Sequence, residues 1–390
     1  MLWCLYAAKA INGAAMKTVT LSANTSWYLF NFRASTLREL VANGYRVICL
    51  SPWDRYSDRL VSELGCEWFP LAMRNSGSNP IQDLRLVIQF WRYYRCFRPH
   101  AVLHFTVKNN VYGTWAARAL DVPAINNVSG LGTAFIRKGL VSAVVRLLYR
   151  SSQPFAHRVF CQNEEDLQQL VDSKLVPAAR LELLPGSGVD LQRFTPQLKR
   201  SHDGPFRFLY AGRMLADKGL YELIAAVRAL RAAGLECTLW LSGFADVENV
   251  SAISQAQMDA WGREPGVEWL GPSDVMETLY AQVDCVVLPS YREGMPRSLL
   301  EAGAMGLPVV ATDVPGCRNI VRDGHNGFLC RVRDSEALLQ AMQKMLAMSA
   351  DQRRLMGQNG RVLVVEKYDE ARVVEATMRA ISNARATDST

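Results

Sequence analysis

Leu288-Pro289-Ser290-Tyr291-Arg292-Glu293-Gly294-Met295-Pro296-Arg297-Ser298-Leu299-Leu300-Glu301-Ala302 is the stretch on which the fold of this chain turns. The run Cys285-Val286-Val287-Leu288 is short, apolar and β-branched, which predicts a buried strand, and the alanine- and leucine-bearing segment after it predicts a helix. Pro296 suits the first turn of that helix, where a missing N–H costs nothing, and Gly294 lets the backbone come close to whatever lies above the turn. N–H groups left free at the helix start are set to meet an anion. Glu293 precedes the helix and Glu301 lies eight residues later inside it. One carboxylate then stands at the mouth of a site and the other about a turn and a half deeper, a separation that suits two sets of sugar hydroxyls.

A second segment has the same strand, turn and helix grammar. Ala211-Gly212-Arg213-Met214-Leu215-Ala216-Asp217-Lys218-Gly219 follows the apolar run Phe206-Arg207-Phe208-Leu209-Tyr210 and precedes a helical pattern. Both cations and the helix N-terminus therefore converge at the C-terminal edge of a sheet, where open α/β folds bind ligands. Arg213 can grip phosphate oxygens bidentately and Lys218 adds a point charge. Taken singly, these residues also read as exposed loop cations and an exposed helical glutamate.

Together, Glu-x7-Glu in the setting EGMPRSLLEA and the Gly-Arg-x4-Lys-Gly loop resemble the donor site of retaining GT-B glycosyltransferases of family four. The resemblance implies that Glu293 and the backbone of Gly294, Met295 and Pro296 meet the transferred sugar. It implies that Glu301 binds the nucleotide ribose, and that Gly212, Arg213 and Lys218 clamp the diphosphate. Leu241-Ser242-Gly243-Phe244 and Trp269-Leu270-Gly271-Pro272-Ser273-Asp274 match in kind the family's base pocket, with backbone near Gly271 holding a pyrimidine; both also read as ordinary turns. Ala311–Arg318 and Asp323–Leu329 resemble the segments that follow the motif helix, although Asn319 stands where relatives often carry a glutamate.

Segments His104–Gly113, Asn126–Phe135 and Pro185–Phe194 resemble a narrower branch, bacterial transferases that extend undecaprenyl-diphosphate-linked sugars for N-glycans, O-antigens of lipopolysaccharide, or capsules. This places Lys108, Ser129 and Gly130 on the acceptor side. Lys108 reads either as a cation for an acceptor phosphate or as a solvated loop residue. Ser129 stands where many family-four enzymes have a histidine, so no imidazole role carries over. His104 and His157 border apolar strands and read as core or strand-end histidines satisfied by backbone partners.

The 390 residues, 49% of them hydrophobic, suffice for two α/β domains and exceed one ordinary core. Strands are predicted at 17–23, 45–50, 101–105, 123–128 and 157–161, alternating with helices at 31–43, 81–97, 111–120 and 139–152. A second alternating set opens at 206–211 after a polar linker at 196–205 and ends in helices at 335–348, 351–366 and 369–384. Such alternation means parallel sheets. The expected architecture is α/β, GT-B, with two doubly wound, Rossmann-like parallel-sheet domains facing a cleft. The first 15 residues read as a leader or mis-assigned start, 16–195 as an acceptor-binding domain and 196–368 as the nucleotide-sugar-binding domain. The resemblance implies that the helix within 369–390 crosses back onto the first domain.

Nine cysteines lack any C-x-x-C pair, and five histidines form no ligand spacing, so neither disulfides nor a metal is indicated. Without a D-x-D, the departing diphosphate is left to Arg213, Lys218 and the helix N-terminus, and no cofactor is expected. No GxGxxG follows the first strand, which argues against a nicotinamide site.

Charge divides the chain: residues 1–200 hold 24 Lys and Arg against 13 Asp and Glu, whereas residues 201–390 hold 20 against 24. A basic half points to nucleic acid, anionic lipid or a phosphorylated substrate. No nucleic-acid motif is present. Helical segments 85–98 and 137–150 combine arginines (Arg85, Arg92, Arg95, Arg98; Arg137, Lys138, Arg146, Arg150) with apolar residues, and either lie in an anionic interface or pack on the sheet with solvated arginines. No stretch reaches the length of a membrane span. The expectation is a peripheral enzyme on the inner face of the bacterial cytoplasmic membrane, moving a hexose or N-acetylhexosamine from a UDP-sugar to a polyprenyl-diphosphate-linked saccharide. A sugar-nucleotide epimerase and a non-catalytic nucleotide-sugar-binding protein share the same frame.

Overall fold

The computed structural model describes residues 16–73, 79–131, 140–196, 204–245, 247 and 249–384. They fall into two units, one ending at Ser187 and resumed from Ala371, the other spanning Gly188–Glu370. The chain thus changes unit ahead of the 196–205 linker proposed from composition, of which 197–203 lie outside the described residues.

Unit 1 carries β1 (Thr18–Ser22), β2 (Arg46–Ser51), β3 (Glu67–Pro70), β4 (Ala101–Phe105), β5 (Ala124–Val128), β6 (Arg158–Cys161) and β7 (Leu181–Leu183), in the order β3-β2-β1-β4-β5-β6-β7. Helices α1 (Ser26–Ala42), α2 (Tyr56–Ser62), α3 (Pro80–Phe97), α4 (Thr114–Arg118), α5 (Leu140–Ser152) and α6 (Glu164–Asp172) connect them. Unit 2 carries β8 (Phe206–Ala211), β9 (Cys237–Ser242), β10 (Val267–Gly271), β11 (Cys285–Leu288), β12 (Val309–Thr312) and β13 (Gly327–Cys330), in the order β10-β9-β8-β11-β12-β13. Its helices are α7 (Leu220–Ala232), α8 (Gln255–Trp261), α9 (Met276–Tyr280), α10 (Arg297–Ala304), α11 (Cys317–Ile320), α12 (Ser335–Ala347) and α13 (Ala350–Lys367); α14 (Glu370–Asn383) follows. Every strand pair is parallel.

Parallel strands are covered on both faces, and β4 and β11 are buried along their whole length; β2, β11 and β12 are apolar almost without interruption, whereas β1 and β5 bury Thr20, Ser22, Asn126 and Asn127 among their apolar residues. Winding reverses between β1 and β4 in unit 1 and between β8 and β11 in unit 2. At such a switch point the following loops part to opposite faces and leave a crevice outside the carboxyl ends of the strands. From Ala371 onward α14 belongs to unit 1, where Val373, Ala376, Ala380 and Ile381 join the core formed by α1 with Leu21, Leu103 and Phe160.

Several elements depart from the periodicity. α1 starts at Ser26 rather than 31, because Thr25 caps it by accepting a 3.1 Å bond from the Tyr28 N–H, a signal masked by the aromatic run that follows. α2, β3, α6, β7 and α11 were not expected: they are short, and β3 and β7 have no buried residue to give an apolar run. The helix expected at 111–120 opens as a π-helical turn, Asn109–Gly113. A Cβ on Gly113 would lie 2.4 Å from His104 Nε2, so glycine lets this turn close on the ring.

His104 is fully buried, but its partners are side chains rather than the backbone, whose groups on β4 are engaged with β1 and β5. Asn126 donates through Nδ2 to Thr114 Oγ1 (2.9 Å) and Gln153 Oε1 (2.8 Å), which turns its Oδ1 to His104 Nδ1 at 2.8 Å. Nδ1 is therefore the protonated nitrogen, and Nε2 accepts from the Tyr94 hydroxyl at 2.9 Å. Burial pulls the ring's pKa down to about 4 against the opposing bond from Asn126. His157 also departs from expectation, since its buried Nε2 has no hydrogen-bond partner among the described residues.

The unfolded chain takes up a proton on His104 near pH 6.5, whereas the folded one resists until about pH 4. Stability is then full above 6.5 and falls as pH drops toward 4, by up to ~3 kcal/mol from this group. An NMR titration should find the ring neutral at pH 5.5, and a protonated ring in folded protein at that pH would refute the assignment.

Candidate active site

The two motif loops of unit 2 leave β8 and β11, the strands on either side of its switch point. Their backbones are in contact. Gly219, at φ 73°, would place a Cβ 2.1 Å from the Pro289 carbonyl oxygen, and the Tyr291 N–H donates to the Asp217 carbonyl at 2.9 Å. Only glycine permits that approach in that conformation. The result is an ion pair, Lys218 Nζ to Glu293 Oε1 at 2.5 Å, with side chains 18% and 13% exposed. Ser290 donates a further 2.6 Å bond to the same oxygen, and Thr312 at the end of β12 donates to the Ser290 carbonyl. Behind Gly294, a Cβ on Gly316 (φ 81°) would lie 2.6 Å from the Gly294 oxygen.

Loops after β8, β9 and β10 are joined in a row. The Gly212 N–H donates to Ser242 O (2.9 Å), the Gly243 N–H to Gly271 O (2.9 Å) and the Met214 N–H to Phe244 O (2.9 Å). Ser242 is buried and its hydroxyl donates to Gly271 O at 3.0 Å, so it braces the Gly271 turn instead of facing outward. Arg213 is exposed and its guanidinium has no bonded partner among the described residues; its carbonyl accepts from the Tyr210 hydroxyl at 2.8 Å. Of the two loop cations, Lys218 is therefore neutralised and Arg213 has no such partner among the described residues.

Pro296 proves to be the residue that precedes α10, at φ −73° and ψ 114°, rather than part of its first turn. It supplies no side-chain cap, which leaves the first-turn N–H groups without one. Met295 is half-buried against the core of unit 2. Glu301 is 8% exposed and its carboxylate is held from both sides, by the Tyr280 hydroxyl at 2.9 Å and Arg297 Nε at 2.8 Å. Burial, followed by the neighbouring Glu301 charge, raises the pKa of Tyr280 well above its usual value, so the phenol remains a donor. In the place of a glutamate, Asn319 accepts from the Gly316 N–H at 3.0 Å.

Sequence reasoning passed over the far side of this site. Tyr291 donates to Glu222 Oε1 at 2.6 Å beneath the Arg333 guanidinium, whose Cζ is 4.6 Å from the ring centre. Burial and Glu222 push its pKa up to about 12. No local spacing links Glu222, Tyr291 and Arg333; they meet only because the first turn of α7, the loop after β11 and the segment after β13 lie at one sheet edge.

In unit 1, Lys108 is ion-paired with Asp83 at 3.1 Å, both largely covered. Ser129 Oγ lies 3.2 Å from the Tyr28 hydroxyl, and Gly130 has φ 131°. Residues 132–139, with Gly132, Phe135, Arg137 and Lys138, lie outside the described residues, as does the 1–15 segment.

A family profile described as "Glycosyl transferases group 1" matches residues 205–348, and one described as "Glycosyl transferase 4-like domain" matches residues 32–186. The chain belongs to the group 1 glycosyltransferases. A Campylobacter jejuni protein named N,N'-diacetylbacillosaminyl-diphospho-undecaprenol alpha-1,3-N-acetylgalactosaminyltransferase is 26% identical across 82% of this chain and 86% of its own length. An Escherichia coli protein named UDP-Gal:alpha-D-GlcNAc-diphosphoundecaprenol alpha-1,3-galactosyltransferase is 24% identical across 74% of this chain and 76% of its own. Among solved structures, Anabaena HepE in complex with UDP and glucose superposes with a TM-score of 0.77 at 16% identity, over 94% of this chain and 100% of that one. WaaG, a glycosyltransferase involved in lipopolysaccharide biosynthesis, gives 0.69 at 16%, over 93% and 99%. The fold of this glycosyltransferase is GT-B, as its motifs implied. No group of three or more His, Cys, Asp or Glu positioned to hold a metal ion occurs among the described residues.

Backbone contact between the motif loops gives a direct test. Gly234 is also left-handed, at φ 77°, but an added Cβ there meets nothing. In urea denaturation, Gly234→Ala is expected to cost about 1–2 kcal/mol, the left-handed penalty alone. Gly219→Ala should cost roughly a further 1–3 kcal/mol from the clash with Pro289. Equal losses in the two variants would mean that the loops do not depend on that contact.

Proposed function

We propose that this glycosyltransferase moves a hexose or N-acetylhexosamine from a UDP-sugar to a polyprenyl-diphosphate-linked saccharide, with retention of configuration, in surface polysaccharide or glycan assembly. The observation that carries the donor half is the Lys218–Glu293 pair beside the unpaired Arg213 at the unit 2 switch point. Arg213 and Lys218 stabilise the departing diphosphate by preorganised charge, and Glu293 with the backbone of Gly294, Met295 and Pro296 holds the transferred sugar. Glu301, fixed by Tyr280 and Arg297, takes the ribose hydroxyls. Gly212 joins Arg213 and Lys218 at the diphosphate, and the turns at Gly243 and Gly271, the latter braced by Ser242, take the base. Retention proceeds by front-side attack guided by the leaving phosphate, with no enzyme nucleophile. The Campylobacter and Escherichia coli relatives, both named for undecaprenyl-linked acceptors, support the acceptor class, and HepE with UDP supports the donor.

A donor screen with lipid-linked acceptors, read by mass spectrometry of the product, tests this. Arg213→Ala is expected to lower kcat on the order of 10²-fold, the scale of one preorganised contact. Glu301→Ala should instead weaken UDP binding. UDP release without a glycosylated lipid, or wild-type kinetics in both variants, would overturn the assignment.

Unit 1 is the acceptor side in this reading, with Ser129 and Gly130 near the acceptor and the enzyme peripheral to the inner membrane face. Leu86, Phe90 and Tyr94 of α3 pack on the sheet, yet Ile81, Leu84 and Ile88 on the same helix are exposed beside Arg85, Arg92 and Arg95. α5 likewise exposes Val144 and Leu147 with Arg146 and Arg150. Both helices pack on the Asn109–Gly113 turn. Apolar residues ringed by cations suit an anionic interface, each cation contributing about 1 kcal/mol. No helix among the described residues is long and apolar enough to cross a membrane. Replacing Ile81, Leu84 and Ile88 by Ser, or Arg146 and Arg150 by Gln, is expected to reduce cosedimentation with anionic vesicles at low salt while UDP binding is unchanged. Wild-type protein that ignores such vesicles would remove the membrane reading.

A further inference from the structure

Four charged residues among the described ones are at least nine-tenths buried: Arg33, Asp166, Asp284 and Glu301. Three are satisfied. Asp166 accepts from Asn163 Nδ2 and the Leu131 N–H, Asp284 from the Arg207 N–H, and Glu301 from Tyr280 and Arg297. Arg33 is 3% exposed and is not. Its Nε is buried with no hydrogen-bond partner, and Nη2 reaches only the Tyr28 hydroxyl, at 3.4 Å. Cζ lies 4.5 Å above the Phe105 ring and 5.9 Å from that of Tyr28. Aromatic faces offset part of the desolvation of a guanidinium, but a buried charge is stable only when paired, and no described carboxylate is bonded to it.

Its position gives the orphan cation a meaning. Phe105 ends β4 and Ser129 follows β5, so α1 carries Arg33 and Tyr28 over the carboxyl ends of these strands, next to the β1/β4 switch point of unit 1. Nε and Nη2 form the edge of a guanidinium that matches two oxygens of one phosphate. Tyr28 and Ser129 are half-buried and their hydroxyls stand 3.2 Å apart at the rim. At the same strand end Thr106 is held at φ 73°, a conformation that β-branched residues avoid.

We propose that Arg33, Tyr28 and Ser129 form an anion-recognition site in unit 1 for a phosphate or diphosphate group, borne by the acceptor. The carrier rests on the acceptor reading above; the site itself rests on the unpaired guanidinium. Arg33 supplies the bidentate grip, and the two hydroxyls donate to the remaining oxygens.

The test uses the full chain saturated with UDP, so that the clamp of unit 2 is occupied, and inorganic pyrophosphate as probe. Pyrophosphate should bind the wild type at low salt, and Arg33→Met should weaken it roughly ten- to a hundred-fold, the scale of a charge-assisted contact. Because no described carboxylate pairs with Arg33, the apo variant should melt at or above the wild-type temperature, whereas a structural cation would leave it less stable. Tyr28→Phe keeps the ring and removes one donor; it should weaken pyrophosphate several-fold and raise the acceptor KM with kcat and donor KM unchanged. Undiminished pyrophosphate binding in Tyr28→Phe together with a destabilised or unfolded Arg33→Met makes Arg33 structural and overturns the proposal. A rise in donor KM instead of acceptor KM overturns the assignment of the carrier. If wild-type enzyme glycosylates no polyprenyl-diphosphate acceptor while pyrophosphate binding still requires Arg33, the acceptor reading falls and the anion site stands.

Discussion

Lys218 and Glu293 come from segments far apart in the chain, and the arrangement of the motif loops at the unit 2 switch point turns on their meeting. The pair is desolvated enough that removing either partner would strand a charge, at about 3–5 kcal/mol. Long side chains alone would hold such a contact loosely. Here it is fixed by backbone: Gly219 lies on Pro289, Gly316 on Gly294 and Gly243 on Gly212, so the loops themselves touch where side chains would otherwise intervene. Precision in the charged pair thus comes from the glycines around it.

Pairing also sorts the cations. Lys218 is engaged by Glu293, so in the proposed reading an incoming diphosphate would share it with a carboxylate, while Arg213 is exposed and keeps its bidentate capacity. An exposed unpaired arginine is cheap to maintain because water solvates it. Arg33 has the opposite circumstance, a guanidinium held among aromatic rings with one nitrogen unsatisfied, and a protein keeps such a group against its desolvation cost when a ligand completes it. Each unit therefore presents, beside its own switch point, an arginine with no carboxylate bonded to it among the described residues, where a doubly wound sheet opens to ligands.

Strands such as β2, β11 and β12 were legible as apolar runs, and α3, expected at 81–97, was legible from its periodicity to within one residue of its start. β3 and β7 were not, because these edge strands have only four and three residues and none of them is buried, so neither forms an apolar block long enough to read. The donor loops were legible for a different reason: each is a strand, a glycine turn and a helix start whose residues are contiguous in sequence.

The sequence by itself determined the two doubly wound units, the family and which loops carry Arg213, Lys218, Glu293 and Glu301, since these follow from residue types at fixed local spacing. Only the tertiary structure decided what those side chains do to one another: that Lys218 is paired and Arg213 is not, that Ser242 turns inward, that Tyr280 and Arg297 lock Glu301, and that Lys108 belongs to Asp83. It also decided that Arg33, an ordinary cation on an amphipathic helix in the sequence, is buried with no carboxylate bonded to it among the described residues and with Nε unsatisfied. Spacing along a chain sets which face of an element a residue occupies, but whether a charge is paired depends on what the neighbouring strands bring to the same edge, and that is fixed by the order of strands in the sheet.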